Sequence, residues 1–416
     1  MTRSSSRRLI FWVAMLLAQT GAFIIFKDLA DISQWLVQSS REFTMTVWYN
    51  RHLVATVSVA LLVVALWAWW LERRACPKPL LTVLVVFYAL NFYSGMINPK
   101  WMFRAQQHAA KFVSVEEAPK YIGKSLKWAR FGDDDYSSVD EVSVLVLETD
   151  DGAYAYSDYY LLQPHVVKAN TVGGEEVILT YCGLTNLGIA YSPMIGDQKL
   201  DLTVMTQLKN NLVLTDKNSG EAIQQIWGTM ERSREKGKMR EWPTIRMPFR
   251  AFKKLYPQGK VFINEIPSFT ESPVLALWDR LVRHVMMYNG VGLQWNKPDE
   301  PAFPTIDYKD KRLPMKQLVY ALNVGDDYVA YTKDFLVQQD GTLNVKIGNS
   351  LVVIDYDEEF DVVAAFYNPS GVPVSDVDIF GRTANGDKLD RVNTLKSNLF
   401  WFILVEFYPQ TDVNRA

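Results

Sequence analysis

Three long apolar segments stand at the start of the chain. Residues 9–26, 53–71 and 79–99 contain no charged side chain. Each approaches the roughly 20 residues that a helix needs to cross a bilayer. The pattern therefore predicts three transmembrane helices. The intervening residues 27–52 mix apolar and polar positions, which predicts an outer loop that lies along the membrane interface.

Basic residues flank these segments unevenly. Three arginines fall within residues 1–8, and Arg73, Arg74 and Lys78 fall within the short loop 72–78. Because lysine and arginine favour the cytoplasmic side of a membrane, we expect both clusters in the cytoplasm. The third helix then places the rest of the chain outside, in the periplasm or the extracellular space. We therefore predict a multi-pass protein of the cytoplasmic membrane, with the lipid bilayer as a partner.

The first segment has a rival interpretation as a cleaved signal peptide. Arg7 and Arg8 precede the apolar run LIFWVAMLLAQTGA, which is typical of such peptides. The run continues through residues 23–26, and this favours an uncleaved anchor. Either interpretation leaves the large domain outside the cytoplasm.

Beyond residue 110 the apolar positions alternate with a period of two. VSVLVLE and AYAYS flank an Asp-Asp-Gly turn, and EVILTYC, LGIAYSP, LDLTVMT and NLVLTD are further strand candidates. Helical spacing occurs at 248–257 and 273–288. The predicted fold is a mainly β (α+β) exported domain with short helices.

Part of this pattern is repeated. Residues 144–162 can be laid without a gap over residues 319–337, and the same offset of 175 places 172–182 over 347–357. On this alignment Cys182 corresponds to Asp357. His165 corresponds to Asp340. The alternative is two unrelated hairpins with common strand residues.

A second pair of similar segments, RAFKKLYPQGKV at 250–261 and FILVEFYPQTDV at 402–413, closes the two halves. We therefore predict two related β-rich repeats, at 112–270 and 311–416. A connector with a helix, at 271–310, joins them.

Composition narrows the classes of function. The chain has 416 residues, 49% hydrophobic content and a net charge of −2, so it is neither a disordered chain nor a nucleic-acid binder by bulk charge. Its two cysteines, Cys76 and Cys182, fall on opposite sides of the predicted membrane. They cannot form an intramolecular disulfide, and the exported domain depends on an ordinary core.

The segment HVVKANTVGGEEVILTYCGLTNLGIAY at 165–191 resembles the bacterial domain-of-unknown-function family 3179 (DUF3179), whose members read close to HEIVNDTVGG and PVAVTYCPLTGTA. The resemblance continues through 207–228 and 311–331 to 400–413. It implies a fold family and no particular activity. Three departures are notable, because Gly183 replaces a proline, Asn186 a glycine, and Ala169-Asn170 an Asn-Asp pair.

Cys182 and His165 are the most specific candidates for a catalytic, redox or metal-binding site. A thiolate near an imidazole serves as a nucleophile, a redox centre or a pair of soft-metal ligands. The alternatives are a core cysteine and a cysteine that lines a ligand pocket, since free cysteine is among the most buried residue types. One cysteine and one histidine fall short of a zinc set, so we predict no metal site, and no cofactor can be named.

Polar residues of the same motifs are candidates for ligand binding. If they converge beside Cys182 they form a polar patch in an apolar pocket; otherwise asparagine and aspartate cap turns. These candidates are Thr185, Asn186, Asn210, Asn211, Asp216 and Trp227. The acidic run at 131–138 and the basic run at 232–240 are interpreted as solvated loops, and no phosphate loop, GxSxG or HExxH occurs.

The leading hypothesis is a non-enzymatic, membrane-anchored protein that binds a small-molecule ligand or an envelope protein partner through its β-rich domain. The rival is a thiol redox or metal-dependent enzyme centred on Cys182 and His165. A bridge from the lone exported thiol to a partner's cysteine is a further alternative.

Overall fold

A computed structural model describes residues 3–30, 39–96, 110–123, 138–162, 164–265, 270, 272–274, 276–277, 292–306, 310–339 and 342–415. The chain divides into two compact units. One unit consists of residues 1–102 and 205–208, and the other of residues 103–204 and 209–416.

The first unit contains α1 (Arg3–Leu29), α2 (Arg41–Leu71) and α3 (Lys78–Met96). Within the described residues, these three helices are long and apolar enough to cross a membrane. This confirms the prediction of three N-terminal apolar helices. A short 3₁₀ turn at Arg73–Ala75 follows α2.

Helix α2 begins earlier than its apolar segment suggests. The Ser40 hydroxyl caps it by accepting a hydrogen bond from the backbone N–H of Phe43 at 3.2 Å, and Glu42 lies in the first turn. Residues 41–52 of the predicted outer loop are therefore helical. Apolarity marks the part of a helix that suits the bilayer, whereas capping residues mark where the helix begins.

Small and polar residues pack the helices of this unit closely. A Cβ added to Gly21 would lie 2.9 Å from Cβ of Ser58, so only glycine fits there. The Ser58 hydroxyl contacts the Ala18 carbonyl oxygen at 2.9 Å and the Tyr88 hydroxyl at 3.0 Å. These contacts tie α1, α2 and α3 together.

The second unit is rich in β structure, and strand β9 (Leu202–Leu208) is described with it although residues 205–208 of this strand are grouped with the first unit. Its short helices are α4 (Pro119–Ile122), α5 (Asp158–Leu161), α6 (Phe249–Leu255), α7 (Gly292–Asn296), α8 (Lys333–Gln338) and α9 (Trp401–Phe407), with 3₁₀ turns at Val139–Glu141 and Arg234–Lys236. The strands in chain order are β1 Ala110–Ser114, β2 Ser143–Thr149, β3 Gly152–Ser157, β4 Val166–Lys168, β5 Ile178–Cys182, β6 Leu187–Tyr191, β7 Met194–Ile195, β8 Gln198–Lys199, β9 Leu202–Leu208, β10 Asn211–Asp216, β11 Ala222–Gln224, β12 Thr229–Met230, β13 Glu241–Trp242, β14 Ile245–Pro248, β15 Lys260–Asn264, β16 Leu318–Val324, β17 Asp327–Tyr331, β18 Thr342–Ile347, β19 Ser350–Asp357, β20 Val362–Tyr367, β21 Lys396–Phe400 and β22 Asp412–Asn414.

The strands pair into several sheets. Their orders are β1-β15-β3-β2-β14, β12-β11-β10-β9, β13-β6-β5-β4, β21-β16-β17-β22 and β18-β19-β20, with the small pair β7-β8. The predicted strands and the helix at 248–257 are confirmed. The acidic run at 131–138 lies outside the described residues apart from residue 138, and so does most of the predicted helix at 273–288.

Two of these sheets have the same pattern of pairing. In the first, β2 pairs antiparallel with β3 and β14, and β3 pairs in parallel with β15. In the second, β16 pairs antiparallel with β17 and β21, and β17 pairs in parallel with β22. A duplication would produce this correspondence, although the repeat itself stays a prediction. We call residues 110–265 the first half and residues 310–415 the second half.

The main core joins strands of both halves. It contains Leu145 and Tyr156 of the first half together with Val353 and Phe366 of the second, all nearly or fully buried. Apolar residues at alternate strand positions supply this core, as the period of two predicts. A smaller core of β16–β20 residues lies within the second half.

Candidate functional site

Strand β5 carries the family motif and presents two different faces. Leu179 and Tyr181 belong to the main core. Because successive residues of a strand point to opposite faces, Thr180 and Cys182 lie on the other face. Their hydrogen bonds run to Gln225 and Asn210, next to β11 and β10. One face of β5 is therefore apolar, and the other is packed against polar groups.

Cys182 is a buried thiol. Its side chain is 3% exposed, and its Sγ donates a weak hydrogen bond to the Asn210 carbonyl oxygen at 3.9 Å. Burial raises the pKa of the thiol and outweighs hydrogen bonds from Thr185 and nearby backbone groups, which lower it. Cys182 is thus protonated at neutral pH, whereas nucleophilic and metal-binding cysteines are thiolates.

His165 is buried in a neutral form. Its Nδ1 lies 2.8 Å from the Tyr181 carbonyl oxygen, and since a carbonyl only accepts, Nδ1 carries the proton. Burial lowers the pKa of the imidazole to about 4, although the same hydrogen bond opposes the shift. The backbone of His165 has a left-handed φ of 67°. The ring stays uncharged at neutral pH.

The pairing of β4 with β5 locates the two residues relative to each other. Val166 is paired with Thr180, and the Tyr181 N–H donates to the His165 carbonyl oxygen at 2.9 Å. His165 thus stands opposite Tyr181 rather than opposite Cys182. Hydrogen bonds to different partners occupy the thiol and the Nδ1 of the imidazole, an arrangement unlike a nucleophile and its base.

The turn after Cys182 links the two halves. The Thr185 hydroxyl donates to the Cys182 carbonyl oxygen at 3.1 Å. Asn186, with a φ of 55°, accepts a hydrogen bond from the Tyr181 hydroxyl at 3.1 Å and donates to the Asn398 carbonyl oxygen at 2.9 Å. Asparagine tolerates the left-handed conformation well, so the departure from glycine at 186 is compatible with the turn.

The side-chain amide of Asn210 forms two hydrogen bonds with the backbone of Phe303, as a neighbouring strand would. Its Nδ2 donates to the Phe303 carbonyl oxygen at 2.8 Å, and its Oδ1 accepts from the Phe303 N–H at 2.9 Å. Asn210 is fully buried and has a φ of 58°. The residue therefore fixes the segment around Phe303 to the turn between β9 and β10.

Asn211 belongs to a buried network with two glutamines. Its Oδ1 accepts from Gln224 Nε2 at 2.6 Å, and its Nδ2 donates to Gln225 Oε1 at 3.0 Å. Gln225 Nε2 donates to Thr180 Oγ1 at 3.1 Å and to the Leu187 carbonyl oxygen at 3.2 Å. Such networks, when their groups are satisfied, rigidify a core. This network holds β10 and β11 against β5 and β6.

Asp216 caps a turn. Its Oδ2 accepts hydrogen bonds from the Ser219 N–H at 2.9 Å and the Ser219 hydroxyl at 2.6 Å, and its Oδ1 accepts from the Asp201 N–H at 2.8 Å. Burial opposes ionisation, but the hydrogen bonds outweigh it and lower the pKa of Asp216. The geometry gives Asp216 the turn-capping role rather than a place beside Cys182.

Trp227 is partly exposed. Its ring stands edge-on to Phe407 with centroids 5.2 Å apart, and the Arg234 guanidinium lies 4.7 Å from the ring centroid. The structure therefore places Thr185 and Asn210 in contact with Cys182. Asn211 is linked to the neighbouring Thr180 through Gln225, and Asn186 bonds with Tyr181 on the other face of β5. Asp216 and Trp227 make other contacts.

Sequence reasoning missed three residues that complete this region. Gln294 donates to the Leu184 carbonyl oxygen and accepts from the Ala302 N–H at 2.7 Å and from Lys316 Nζ at 2.9 Å. Burial lowers the pKa of Lys316 to about 7. These positions lie more than 100 residues after Cys182, and no local pattern links them to it.

Arg246 is the third missed residue. Its side chain is 2% exposed and forms a 2.7 Å ion pair with Asp158. It also donates to the Ser143 hydroxyl at 3.1 Å and to the Asn186 carbonyl oxygen at 3.4 Å. A lone arginine in an apolar strand (IRMP) is the one sequence signal that marks it. Within the part of the chain that the structure describes, no group of three histidine, cysteine, aspartate or glutamate side chains is arranged to hold a metal ion.

A cavity of about 880 Å³ opens elsewhere, in the second half. It lies between β17 and β22 on one side and β18 on the other. The lining combines apolar strand residues with charged side chains: Arg312, Asp327, Tyr328, Val329, Tyr331, Val345, Lys346, Ile347, Gly348, Asp412, Val413, Asn414 and Arg415. Its volume falls within the range of small-ligand sites.

Comparison with known proteins identifies the family. No curated protein and no solved structure matches the chain. The family model described as "Protein of unknown function (DUF3179)" matches residues 124–411, which is more than half of the chain. The chain therefore belongs to the DUF3179 family.

Proposed function

We propose that the protein displays its β-rich domain on the outer side of the bacterial cytoplasmic membrane. The domain binds a small ligand or an envelope protein partner and catalyses no reaction of its own. Three N-terminal helices hold it at the bilayer, with the N-terminus in the cytoplasm.

The contacts of the helical unit support this orientation. Arg8 forms a 3.7 Å ion pair with Glu72, and the Ser4 hydroxyl donates to the same carboxylate at 2.7 Å. These contacts bring the start of α1 to the end of α2, so the basic residues of 1–8 share one end with Arg73 and Arg74. The opposite ends of α1 and α2 carry fewer, namely Lys27, Arg41 and Arg51. This asymmetry favours a cytoplasmic N-terminus.

The cavity in the second half is the observation that carries the binding proposal. It offers convergent charged and polar groups in a space of about 880 Å³. The motif around Cys182, by contrast, uses its hydrogen bonds within the protein. The arrangement favours a scaffold at the motif and a binding surface at the cavity.

Cysteine accessibility tests the orientation. Glu358 lies exposed in the turn between β19 and β20, and Arg74 lies exposed after α2. In intact spheroplasts a membrane-impermeant maleimide should label Glu358→Cys at once and Arg74→Cys only after permeabilisation. The parent protein, whose Cys76 and Cys182 are buried, is the matched background. The reverse pattern would overturn the proposed orientation.

Native mass spectrometry of the full-length protein in mild detergent tests the binding itself. We expect an added mass from a ligand or a partner that survives Cys182→Ala. An added metal or cofactor that disappears in Cys182→Ala would support the rival thiol or metal enzyme. Cys182 does not line the second-half cavity, so comparison of Cys182→Ala with the parent protein isolates the thiol.

A further inference from the structure

The first sheet has a covering strand at one edge. Strand β1 pairs antiparallel with β15, in a register that places Val113 opposite Val261 and Phe112 opposite Phe262. Val261 is fully buried and Phe262 is 2% exposed. An extended five-residue segment thus completes the sheet and protects its edge.

The corresponding edge of the second sheet is β22. Asp412, Val413 and Asn414 occupy the places of Lys260, Val261 and Phe262, at the offset of 152. Among the described residues no strand pairs with the outer side of β22, and Val413 and Asn414 are half-buried.

The backbone direction of β22 shows which groups face outward. The Asn414 carbonyl oxygen accepts from the Thr332 N–H at 3.1 Å, so Asn414 directs its backbone groups toward β17. Adjacent residues of a strand direct theirs to opposite sides. The N–H and the carbonyl of Val413 therefore point away from the sheet, as a template for another strand.

The cavity occupies the place that an aromatic ring takes in the first sheet. Phe112 of β1 packs on Tyr154, Tyr156 and Phe262, with ring centroids 4.8, 6.2 and 5.7 Å away. The corresponding residues of the second half are Val329, Tyr331 and Asn414, and all three line the cavity. The space thus lies where a covering strand would seat a large side chain.

Charges at this edge indicate the sequence of such a strand. In the register of the first sheet, the residue before the aromatic position stands opposite residue 263, which corresponds to Arg415. The residue opposite Asp412 is the second after the aromatic position. Arg415 and Asp412 are exposed, and opposite charges across strands attract. An acidic residue before the aromatic and a basic one two after it fit this edge.

We propose that the edge of β22 binds an extended segment of an envelope protein as an added antiparallel strand. The segment places an aromatic side chain in the cavity over Val329 and Tyr331, next to an acidic residue that faces Arg415. This inference rests on the proposed binding function and names the chemistry of its partner. The mode is strand addition, in which backbone hydrogen bonds give affinity and a side-chain pocket gives specificity.

Synthetic peptides test the inference on the full-length protein in detergent. The probe is fluorescein-labelled GGAEFVKGG, and fluorescence anisotropy measures its binding. N-methylation of its valine, whose N–H faces Val413, should weaken binding at least about tenfold, the equivalent of roughly 1.4 kcal/mol. N-methylation of its phenylalanine, whose N–H faces away, is the matched control and should change binding little. The peptide GGAKFVSGG, which carries the sequence of β1, should bind more weakly because its lysine faces Arg415.

Substitutions in the protein give an independent check. Val413→Pro removes the outward N–H without touching the bonds to β17, a position where edge strands tolerate proline. It should abolish binding of GGAEFVKGG, whereas Val413→Ala should retain it. Equal binding of both N-methylated peptides, or unchanged binding to Val413→Pro, would contradict the inference and indicate another site, such as displacement of β1.

The results that contradict the strand-addition inference differ from those that contradict the proposed function. If no peptide binds but native mass spectrometry detects a bound ligand, the strand-addition inference is wrong and the binding function stands. If the maleimide labels Arg74→Cys from outside, the orientation is wrong whatever the peptides do.

Discussion

Strand β5 of the first half and strand β19 of the second half differ mainly in the side chains on one face. Thr180 and Cys182 of β5 correspond to Asp355 and Asp357 of β19 at the offset of 175. Thr180 is fully buried and bonds with Gln225 of the network beside β10 and β11. Asp355 is only partly buried and accepts from the Thr342 hydroxyl at 3.2 Å.

The covering elements explain this difference. The β9–β12 sheet and its glutamines follow β6 in the first half, whereas the second half is 23 residues shorter between the corresponding markers. Thr180 and Cys182 face this network and are neutral and hydrogen-bonded. On β19 the same side of the strand contributes Val353 to the main core, whereas Asp355 and Asp357 are only partly buried. Cys182 is thus part of a covered interior, whereas this side of β19 is partly exposed beyond Val353.

The largest expected effect on stability comes from placing the aspartate of β19 at the corresponding position of β5. We expect Thr180→Asp to destabilise the protein by roughly 4 kcal/mol at pH 7, because a carboxylate buried without an opposite charge is costly. Urea denaturation of the full-length protein measures this. Thr180→Val, which removes only the hydroxyl, is the control and should cost roughly 1 kcal/mol. Equal losses for the two variants would show that this face is not a closed interior.

Removal of the network should cost somewhat less. Gln225→Ala leaves Thr180 Oγ1, the Leu187 carbonyl oxygen and Asn211 Nδ2 without the partner that Gln225 supplies, so we expect a loss of roughly 3 kcal/mol. The exposed Gln338, at the end of α8, gives the matched control Gln338→Ala, which should change stability by less than about 0.5 kcal/mol. Thermal unfolding of both variants is the measurement. If Gln225→Ala loses no more stability than the control, the network does not stabilise the fold.

In the second half, we expect removal of a carboxylate from β19 to stabilise the protein. Burial raises the pKa of Asp355 to about 6, Thr342 opposes the shift, and Asp357, Asp376 and Asp378 add to it. The folded state therefore binds more protons than the unfolded state between about pH 4 and 6, and the contribution of Asp355 to stability falls as pH rises through this range. Asp355→Thr should stabilise the protein by roughly 2 kcal/mol above pH 6, with allowance for partial exposure.

The pH dependence of that gain is the sharper measurement. The difference between Asp355→Thr and the parent should be present at pH 7.5 and nearly absent at pH 4. A difference that does not vary with pH would mean that the carboxyl titrates normally and that this face is well solvated.

The smallest expected effect concerns Cys182 itself. Cys182→Ala should destabilise the protein by about 1 to 2 kcal/mol, because it removes a buried sulfur and leaves a small cavity. It should leave binding of the peptide GGAEFVKGG unchanged, since the peptide site lies in the second half. Loss of peptide binding without loss of stability would instead give the thiol a functional role.

Local patterns in the sequence predicted much of this architecture. Alternation and turn residues located β2, β3, β5, β6, β9 and β10, and apolar length located the three N-terminal helices. The positions of Gln225, Gln294, Lys316 and Arg246 were not predictable, because each contacts residues far away in the chain. Alternation along β5 places Thr180 and Cys182 on the same side of the strand, but it does not indicate what covers that side.

The two roles proposed for the motif can be separated by alkylation. The full-length protein is treated with iodoacetamide at pH 7, and mass mapping follows the peptide that contains Cys182. Burial and a raised pKa predict that Cys182 is modified only after unfolding in urea, as a thiol of the interior. Rapid modification of Cys182 in the native protein would contradict the scaffold role of the motif and support a reactive centre.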